Sequence, residues 1–414
     1  MLHGLQEAKN TRVIYVDMNA FFASIEQQRY PNLRNRPMAV TSYIAPSATI
    51  IASSYEAKAL GITTGVRVRE ALMIYPDLKI VETDAPIYHA MHKQFLLIIR
   101  EIFGPEVHAR SIDEAALYLA PNWQNSEKAW ELVHQIKQAF YDQLGECIRC
   151  SIGIAPNILL AKLATDLQKP NGLVEITLEN TAAILEKLEL TDLPGIAEKS
   201  AANLNRHAIY TPLDLYQTSA VRLKSLFGIW GQYWWWRLHG YEPDGASGPQ
   251  KTMSHEHVLA RWTDKRSQLA NTINKMTDRI LHRLRKNRLT CRSLSLRLSF
   301  KDIPSAQFDH YFDAPTDSHS AILSCINQTL EQLPLFLPSA VRKITITFNQ
   351  LSSKALGLQL DLFTERIRHE KISSAIFTIR SRHGFEALQL GNTIRIDRQT
   401  AKEQPGFGKI RDQF

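Results

Sequence analysis

Three acidic residues sit in apolar surroundings. Asp113 and Glu114 are adjacent within "ARSIDEAALYL" (109–119), and Asp17 closes the strand-like run 13–16 in "RVIYVDMNAFFASIE" (12–26). A carboxylate buried without a partner is strongly disfavoured or becomes protonated. Successive strand residues point to opposite faces, so neighbouring acids reach one ligand only at a bend. A solvated turn is the plain alternative for the pair, and a helix cap is the plain alternative for Asp17 or Asn19. Together the three acids offer hard oxygen donors suited to two Mg²⁺ ions, with Mn²⁺ as a substitute. Such ions serve phosphoryl transfer by activating the attacking oxygen and stabilising the leaving one.

The elements around these acids carry cations. Asp17 ends a buried strand, and a helix is expected to start near Asn19 and Ala20. In "CSIGIAPNILLAKLATDLQKPNGL" (150–173) an apolar strand gives way at Ala155-Pro156-Asn157 to a helix with Ile158, Leu159, Leu163 and Leu167 at helical spacing. Lys162 and Lys169 emerge from it, and either could neutralise a phosphate. In "IIASSYEAKALGI" (50–62), Tyr55 and Lys58 are three residues apart and neighbours on a helix, which suits a triphosphate clasp or an ordinary helix surface.

The chain has 414 residues, enough for about two to four domains. Its formal charge of +8 favours a polyanionic partner. No signal-peptide core opens the sequence, and the longest aliphatic run, "FLLII" (95–99), is too short to span a bilayer. A soluble, cytoplasmic protein is expected. Cys147 and Cys150 form a lone C-x-x-C without a second pair at zinc spacing, and Cys291 and Cys325 complete the four cysteines, all read as core or ordinary thiols.

Downstream, "LTDLPGIAEKSAANLNRHAIYTPLDL" (190–215) has the layout of a helix-hairpin-helix, whose turn at Gly195 would offer backbone N–H groups to a DNA phosphate. Trp234, Trp235 and Trp236 are consecutive, about 100° apart on a helix, so they cannot form one stacking face and at least one belongs in a core. "EPDGASGPQ" (242–250) reads as a linker. The helix 266–287 has Leu269, Ile273, Met276, Ile280 and Leu284 on one face, beside a cationic stripe of Lys275, Arg279, Arg283 and Lys286. "RSLSLRLSF" (292–300) alternates Leu294, Leu296, Leu298 and Phe300 against Ser293, Ser295, Arg297 and Ser299, and "KITITF" (343–348) repeats the alternation. With strands near 251–259 and 308–312 and a helix near 320–332, the order is β-α-β-β-α-β.

"VDMNAFFASIE", "SYEAKALGI", "SIDEA", "CSIGIAPNILLAKLATDLQKPNG" and "LTDLPGIAEKSAANL" resemble, in order and spacing, the Y-family translesion DNA polymerases, most closely the DinB or DNA polymerase IV type. The resemblance spans roughly 12–350. It implies an α+β right-handed polymerase with palm (1–28 and 84–176), fingers (29–83), helix-hairpin-helix thumb (177–243), linker (244–250), β-α-β-β-α-β little finger (251–350) and a tail (351–414). It also implies template-directed, low-fidelity synthesis past damaged bases, with dNTPs and primer-template DNA as partners. Asp17, Asp113 and Glu114 match the family's metal-binding acids, with the Met18 carbonyl also on a metal. Phe22 matches the steric gate and Phe21 its neighbour in the nucleotide site, while Tyr55, Lys58 and Lys169 match contacts to the triphosphate. Ala52 replaces a commoner threonine, Lys58 a commoner arginine, and Asn19 the second acid of D-x-D. Ala52 and Asn19 also resemble the UmuC branch.

In that fold the polar sheet face around Arg297 and the basic stripe would grip the DNA backbone, with affinity falling steeply as salt rises. Beyond it, Gln359-Leu360-Asp361-Leu362-Phe363 resembles the Q-L-x-L-F peptide that docks bacterial polymerases on the sliding clamp. The following segment, 365–384, reads as a helix with Ile372, Ala375, Ile376 and Ile379 on one side and Gly384 as its stop, a face for packing on the body or for a partner. A monomer is expected. Two rivals are a non-catalytic scaffold that recruits another polymerase to the clamp, for which three intact acids are superfluous, and a nucleotide cyclase, which needs no duplex grip.

Overall fold

The computed structural model describes residues 13–119, 126–243, 250–354 and 364–388. These fall into two compact units, 13–243 and 250–388, each with its own core. The fold is α+β throughout.

The first unit opens with β1 (Val13–Met18) and α1 (Phe21–Arg29). A small subdomain follows, built from β2 (Met38–Thr41), β3 (Ile50–Ser53), α2 (Tyr55–Ala59), α3 (Val68–Ile74) and β4 (Lys79–Glu82). Its three strands are ordered β3-β2-β4 over a separate apolar cluster around Ile50, Ile62 and Leu78. The chain then returns through α4 (Ala85–Phe103), β5 (Val107–Ala109), β6 (Glu114–Tyr118), α5 (Ser126–Leu144), β7 (Cys150–Ala155), α6 (Ile158–Leu167) and β8 (Leu173–Glu175). Five short helices close the unit: α7 (Thr181–Leu185), α8 (Glu198–Asn205), α9 (Pro212–Gln217), α10 (Ala220–Phe227) and α11 (Ile229–Leu238).

The central sheet runs β5-β6-β1-β7-β8 and is covered on both faces, which is why β1 is buried from end to end. Ile14, Val16 and Met18 point into one core with residues of α4 and α5, while Val13 and Tyr15 point to the other side, against α6 and the closing helices. Small residues line that second side. A Cβ at Gly153 would lie 2.0 Å from the carbonyl oxygen of Ala161, so glycine lets α6 pack directly on β7. Asn157 caps α6 by accepting from Leu160 N at 2.9 Å, and its amide group donates to the Arg237 and Tyr241 carbonyls, tying α6 to the end of α11.

Trp234 and Trp235 pack on the core of the closing helices, as the spacing argument requires. Gly195 has φ +99° in the turn ahead of α8, a conformation that favours glycine. Cys150, Cys291 and Cys325 are buried free thiols, whereas Cys147 is half-exposed.

The second unit contains β9 (Thr252–Lys265), α12 (Arg266–Lys286), β10 (Leu289–Phe300), β11 (Ala306–Thr316), α13 (His319–Gln332) and β12 (Phe336–Asn349), the expected β-α-β-β-α-β order. The strands are longer than the sequence pattern indicates, and their sheet order is β11-β10-β12-β9. Leu294, Leu296 and Leu298 face α12 and α13 in the core, while Arg297 is exposed on the other face, in register between Gln307 and Thr345. A short β13 (Ser352–Ser353) pairs with β10, and α14 (Thr364–His383) ends the unit.

The cationic stripe of α12 is partly covered: Lys275, Arg279 and Arg283 are half-buried, and Lys286 is exposed. Arg279 lies 5.7 Å over the Phe385 ring and Arg283 donates to the Ser254 carbonyl, because α14 and β9 flank this helix. In α14 the inward face is Ser373, Ile376, Phe377 and Arg380, whereas Ile372 and Ile379 are exposed. A buried carboxylate on α12, Asp278, pairs with Arg380 on that inward face. The linker 244–249 and the motif 359–363 lie outside the described residues.

Candidate active site

β1 and β6 pair antiparallel with Asp17 directly opposite Glu114, so both side chains share the face that meets α6. Asp113 escapes strand alternation because it sits in the bend just before β6. There Ser111 Oγ donates to its Oδ1 at 2.5 Å, and Asp113 N donates back to Ser111 Oγ at 3.3 Å. The Asp113 carbonyl accepts from Met18 N at 2.9 Å, which fixes the bend against the end of β1. The bend thus brings all three acids to one end of the sheet.

Neither Asp17 nor Asn19 caps α1, whose N-cap is Ala20 in a left-handed conformation without a side-chain bond. Asn19 instead donates to Ser151 Oγ at 3.0 Å and accepts from Asn171 N at 2.6 Å. Ser151 Oγ also meets the Gln168 carbonyl and Gly172 N, so this network holds the turn after α6 that carries Lys169. An aspartate at position 19 could not make the donor half of it.

Lys162 of α6 and Lys169 in the turn after it face the acids. Lys162 Nζ contacts Asp17 Oδ2 and lies 2.9 Å from Glu114 Oε1, and Lys169 Nζ is 2.9 Å from Asp17 Oδ2. Asp166 lies between them, 2.7 Å from Lys169 Nζ and 3.7 Å from Lys162 Nζ. Burial pushes the Asp113 carboxyl up to about 6, with the Ser111 hydrogen bond opposing and the charges of Asp17 and Glu114 adding to the rise. Among the described residues no three His, Cys, Asp or Glu side chains are gathered into a closed ligand cluster. The lysines and Ser111 hold the acids close together but individually paired.

Phe21 and Phe22 open α1 and are buried, their ring centroids 5.7 Å apart. Phe22 lies 4.5 Å from the Tyr88 ring, and Tyr88 Oη donates to the buried Glu26 at 2.9 Å. On α2, Lys58 Nζ stands 4.6 Å over the Tyr55 ring. Tyr55 Oη is buried with no hydrogen-bond partner, and burial pushes its pKa up to about 12. Burial and the nearby Lys169 ammonium hold Lys58 below the usual lysine range. A neutral, unpaired hydroxyl donor beside clustered ammonium groups is a receptor for anionic oxygen.

Sequence reasoning did not find Tyr88, Ser111, Ser151, Gly153 or Asp166. The S-x-D spacing of Ser111 and Asp113 is a local turn signal, and Asp166 lies one helical turn from Lys162. Tyr88 carries no local signal, since its contact with Phe22 is made only by folding.

The chain resembles known proteins along most of its length. Residues 16–166 match the impB/mucB/samB family and residues 250–362 match the impB/mucB/samB family C-terminal domain. A DNA polymerase IV of Dehalococcoides mccartyi (strain CBDB1) is 27% identical over 391 residues, covering 93% of this chain and 98% of the relative. A DNA polymerase IV of Colwellia psychrerythraea (strain 34H) is 30% identical over 298 residues, covering 70% and 82%. Among solved structures, the Y-family DNA polymerase chimera Dbh-Dpo4(243-245)-Dbh superposes with a TM-score of 0.67 at 22% identity, covering 83% of this chain and 99% of that one. Nothing in these relatives supports a non-catalytic scaffold. The matches at both ends, the α+β fold and relatives aligned over most of their length converge: the chain belongs to the impB/mucB/samB family and is a DinB-like Y-family translesion DNA polymerase.

Proposed function

We propose that Asp17, Asp113 and Glu114, with the Met18 carbonyl, hold two Mg²⁺ ions, or Mn²⁺ in their place, and that Phe21, Phe22, Tyr55, Lys58 and Lys169 receive the incoming dNTP. The carrying observation is the register that sets Asp17 opposite Glu114 beside the Asp113 bend, on the face that meets Lys162 and Lys169. The donor set is all oxygen and anionic, which fits hard divalent cations. Bound there, the cations would supply the positive charge that favours attack by the primer 3′-oxygen and departure of pyrophosphate. The protein's own groups do the rest. Lys169 and Lys58 offset phosphate charge, Tyr55 Oη donates to a phosphate oxygen, and the Phe22 ring, backed by Tyr88, presses on the sugar where a 2′-hydroxyl would stand. The bond from the 3′-oxygen to the α-phosphorus forms as the bond to pyrophosphate breaks.

DNA is held by the Gly195 turn and by the basic groups of the second unit. Arg297 and Lys286 are exposed for phosphate contact, and Lys275, Arg279 and Arg283 add charge from half-buried positions. The palm, fingers, thumb and little-finger boundaries given above follow the same reading. We take the protein to act as a cytoplasmic monomer; no described helix is long and apolar enough to cross a membrane. Gln359, Leu360, Leu362 and Phe363 would dock on the bacterial sliding clamp. Deleting 359–363 is expected to abolish clamp-stimulated synthesis while basal synthesis persists, and equal loss of both in extension assays counts against docking.

Extension of a labelled primer with single dNTPs and Mg²⁺ tests the whole reading. Template-directed addition is expected, and its absence despite primer-template binding overturns the reading. In the same assay Phe22→Ala should raise the efficiency of ribonucleotide relative to deoxynucleotide addition by about 10²-fold, the scale of a lost steric contact in an apolar pocket. Unchanged sugar selection would remove Phe22 from the gate.

A further inference from the structure

Lys162 carries none of the roles proposed above, yet its ammonium lies against two of the site's acids. Its Nζ contacts Asp17 Oδ2, lies 2.9 Å from Glu114 Oε1, and has Asp166 Oδ1 at 3.7 Å. The first two carboxylates are those assigned above to the cations, and the third is not. We propose that Lys162 is a tethered cation that competes with divalent ions for Asp17 and Glu114, and that Asp166 is the positioning residue that receives its ammonium when those ions bind. The inference rests on the metal reading under Proposed function and deepens it by naming what sets the affinity of that site.

The physical argument has three parts. An ammonium with three donors takes lone pairs on Asp17 and Glu114 that a hard cation needs, and two cations on the same oxygens repel. The helix itself has no room to move: Ala161, the residue before Lys162, packs its carbonyl so closely over Gly153 that a Cβ there would lie 2.0 Å away. Relocation therefore falls to the flexible four-carbon stem of Lys162. Asp166 is placed to receive it, at i+4 on the same helix face, with a side chain 37% exposed and already 2.7 Å from Lys169 Nζ. Asp17, 7% exposed, lies at the other end of that path. Because the lysine never leaves the site, its charge would balance the acids before cations arrive and then remain beside the triphosphate.

The test is Mn²⁺ binding to the full chain without DNA or dNTP, followed by electron paramagnetic resonance at neutral pH. Lys162→Met is expected to tighten Mn²⁺ binding about tenfold, the smallest effect usual for a charge lying against a carboxylate. Asp166→Asn is expected to weaken it several-fold, since the ammonium then stays on Asp17 and Glu114. Unchanged or weaker binding by a Lys162→Met protein with native circular dichroism overturns the proposal. Should that variant not fold, Asp166→Asn decides: weaker binding supports competition and unchanged binding overturns it. Asp17→Asn separates the two levels of inference. Mn²⁺ binding that survives Asp17→Asn undoes the metal reading itself, whereas binding lost there but indifferent to Lys162 undoes only the competition.

Discussion

Asp113→Asn is expected to lower template-directed primer extension by about 10³-fold or more at saturating Mg²⁺, while primer-template affinity stays within about twofold. The substitution keeps the shape of the side chain and its bond with Ser111 but removes the charge. Single-turnover extension and a DNA-binding titration distinguish the two effects, and a variant retaining a tenth of native activity would take Asp113 out of the metal site. The native enzyme should also show an acid limb. Asp113 is held up to about 6, chiefly by burial, so the cation-free site takes a proton as pH falls through that value. Cation binding needs the carboxylate, hence apparent Mg²⁺ affinity falls in the same direction and excess Mg²⁺ moves the limb to lower pH. The stability sign is the reverse of the usual carboxylate case. A raised folded-state pKa means the folded protein holds the proton more tightly than the unfolded chain. The unfavourable contribution from ionised Asp113 therefore grows as pH rises from 3.8 to about 6, and cations relieve it.

The second large effect concerns α14. Arg380 makes a bidentate pair with Asp278, at 2.7 and 2.8 Å, and His319 Nε2 lies 2.9 Å from the same carboxylate. The Arg380 and Asp278 side chains are 2% and 3% exposed. Arg380→Met leaves Asp278 with His319 alone and is expected to cost the second unit about 3–5 kcal/mol, the range for breaking one side of a buried pair. Asp278→Leu combined with Arg380→Met should be less damaging than Arg380→Met by itself, because no buried charge is orphaned. Denaturant melts with hydrogen exchange along α14 would check both, and an Arg380→Met protein within 1 kcal/mol of native would show that α14 docks without the pair, a small fraction of the expected cost. Burial works against ionisation of Asp278, yet hydrogen bonds and charge from His319 and Arg380 hold its carboxyl below the usual range. This contribution is therefore present above the ordinary value of 3.8 and is lost as pH falls through the lower folded-state pKa.

Much of the site was legible in sequence because its signals are local. An acid one residue from the end of a strand, two adjacent acids where a bend enters a strand, a capped helix with one lysine within it and one just beyond, and a Tyr-x-x-Lys helix are each specified within about ten residues, and the structure contains all four. Alternating leucines likewise announced β10, and spaced apolar residues announced α12. Elsewhere distant residues decided what the local pattern left open. Ile372 and Ile379 of α14 face out while Ile376 turns in beside Arg380, which pairs with Asp278 about a hundred positions earlier. Asn19, for which a helix cap was the plain alternative, bridges Ser151 and Asn171. The α12 stripe is present as read, and only the fold shows that β9 and the Phe385 ring lie against part of it.

The sequence by itself determined which groups are available: three oxygen-donor acids, their flanking cations, two adjacent phenylalanines at the start of α1 and the order of elements in both units. Periodicity and turn chemistry act over a few residues and need no knowledge of the rest of the chain. Only the tertiary structure decided how those groups meet. The register of β1 on β6 put Asp17 opposite Glu114, Gly153 let α6 come close enough for Lys162 to reach both, and α4 brought Tyr88 against Phe22. Those contacts join residues up to 145 positions apart. They arise from close packing of whole elements, where one absent side chain or one strand register sets which charges become neighbours.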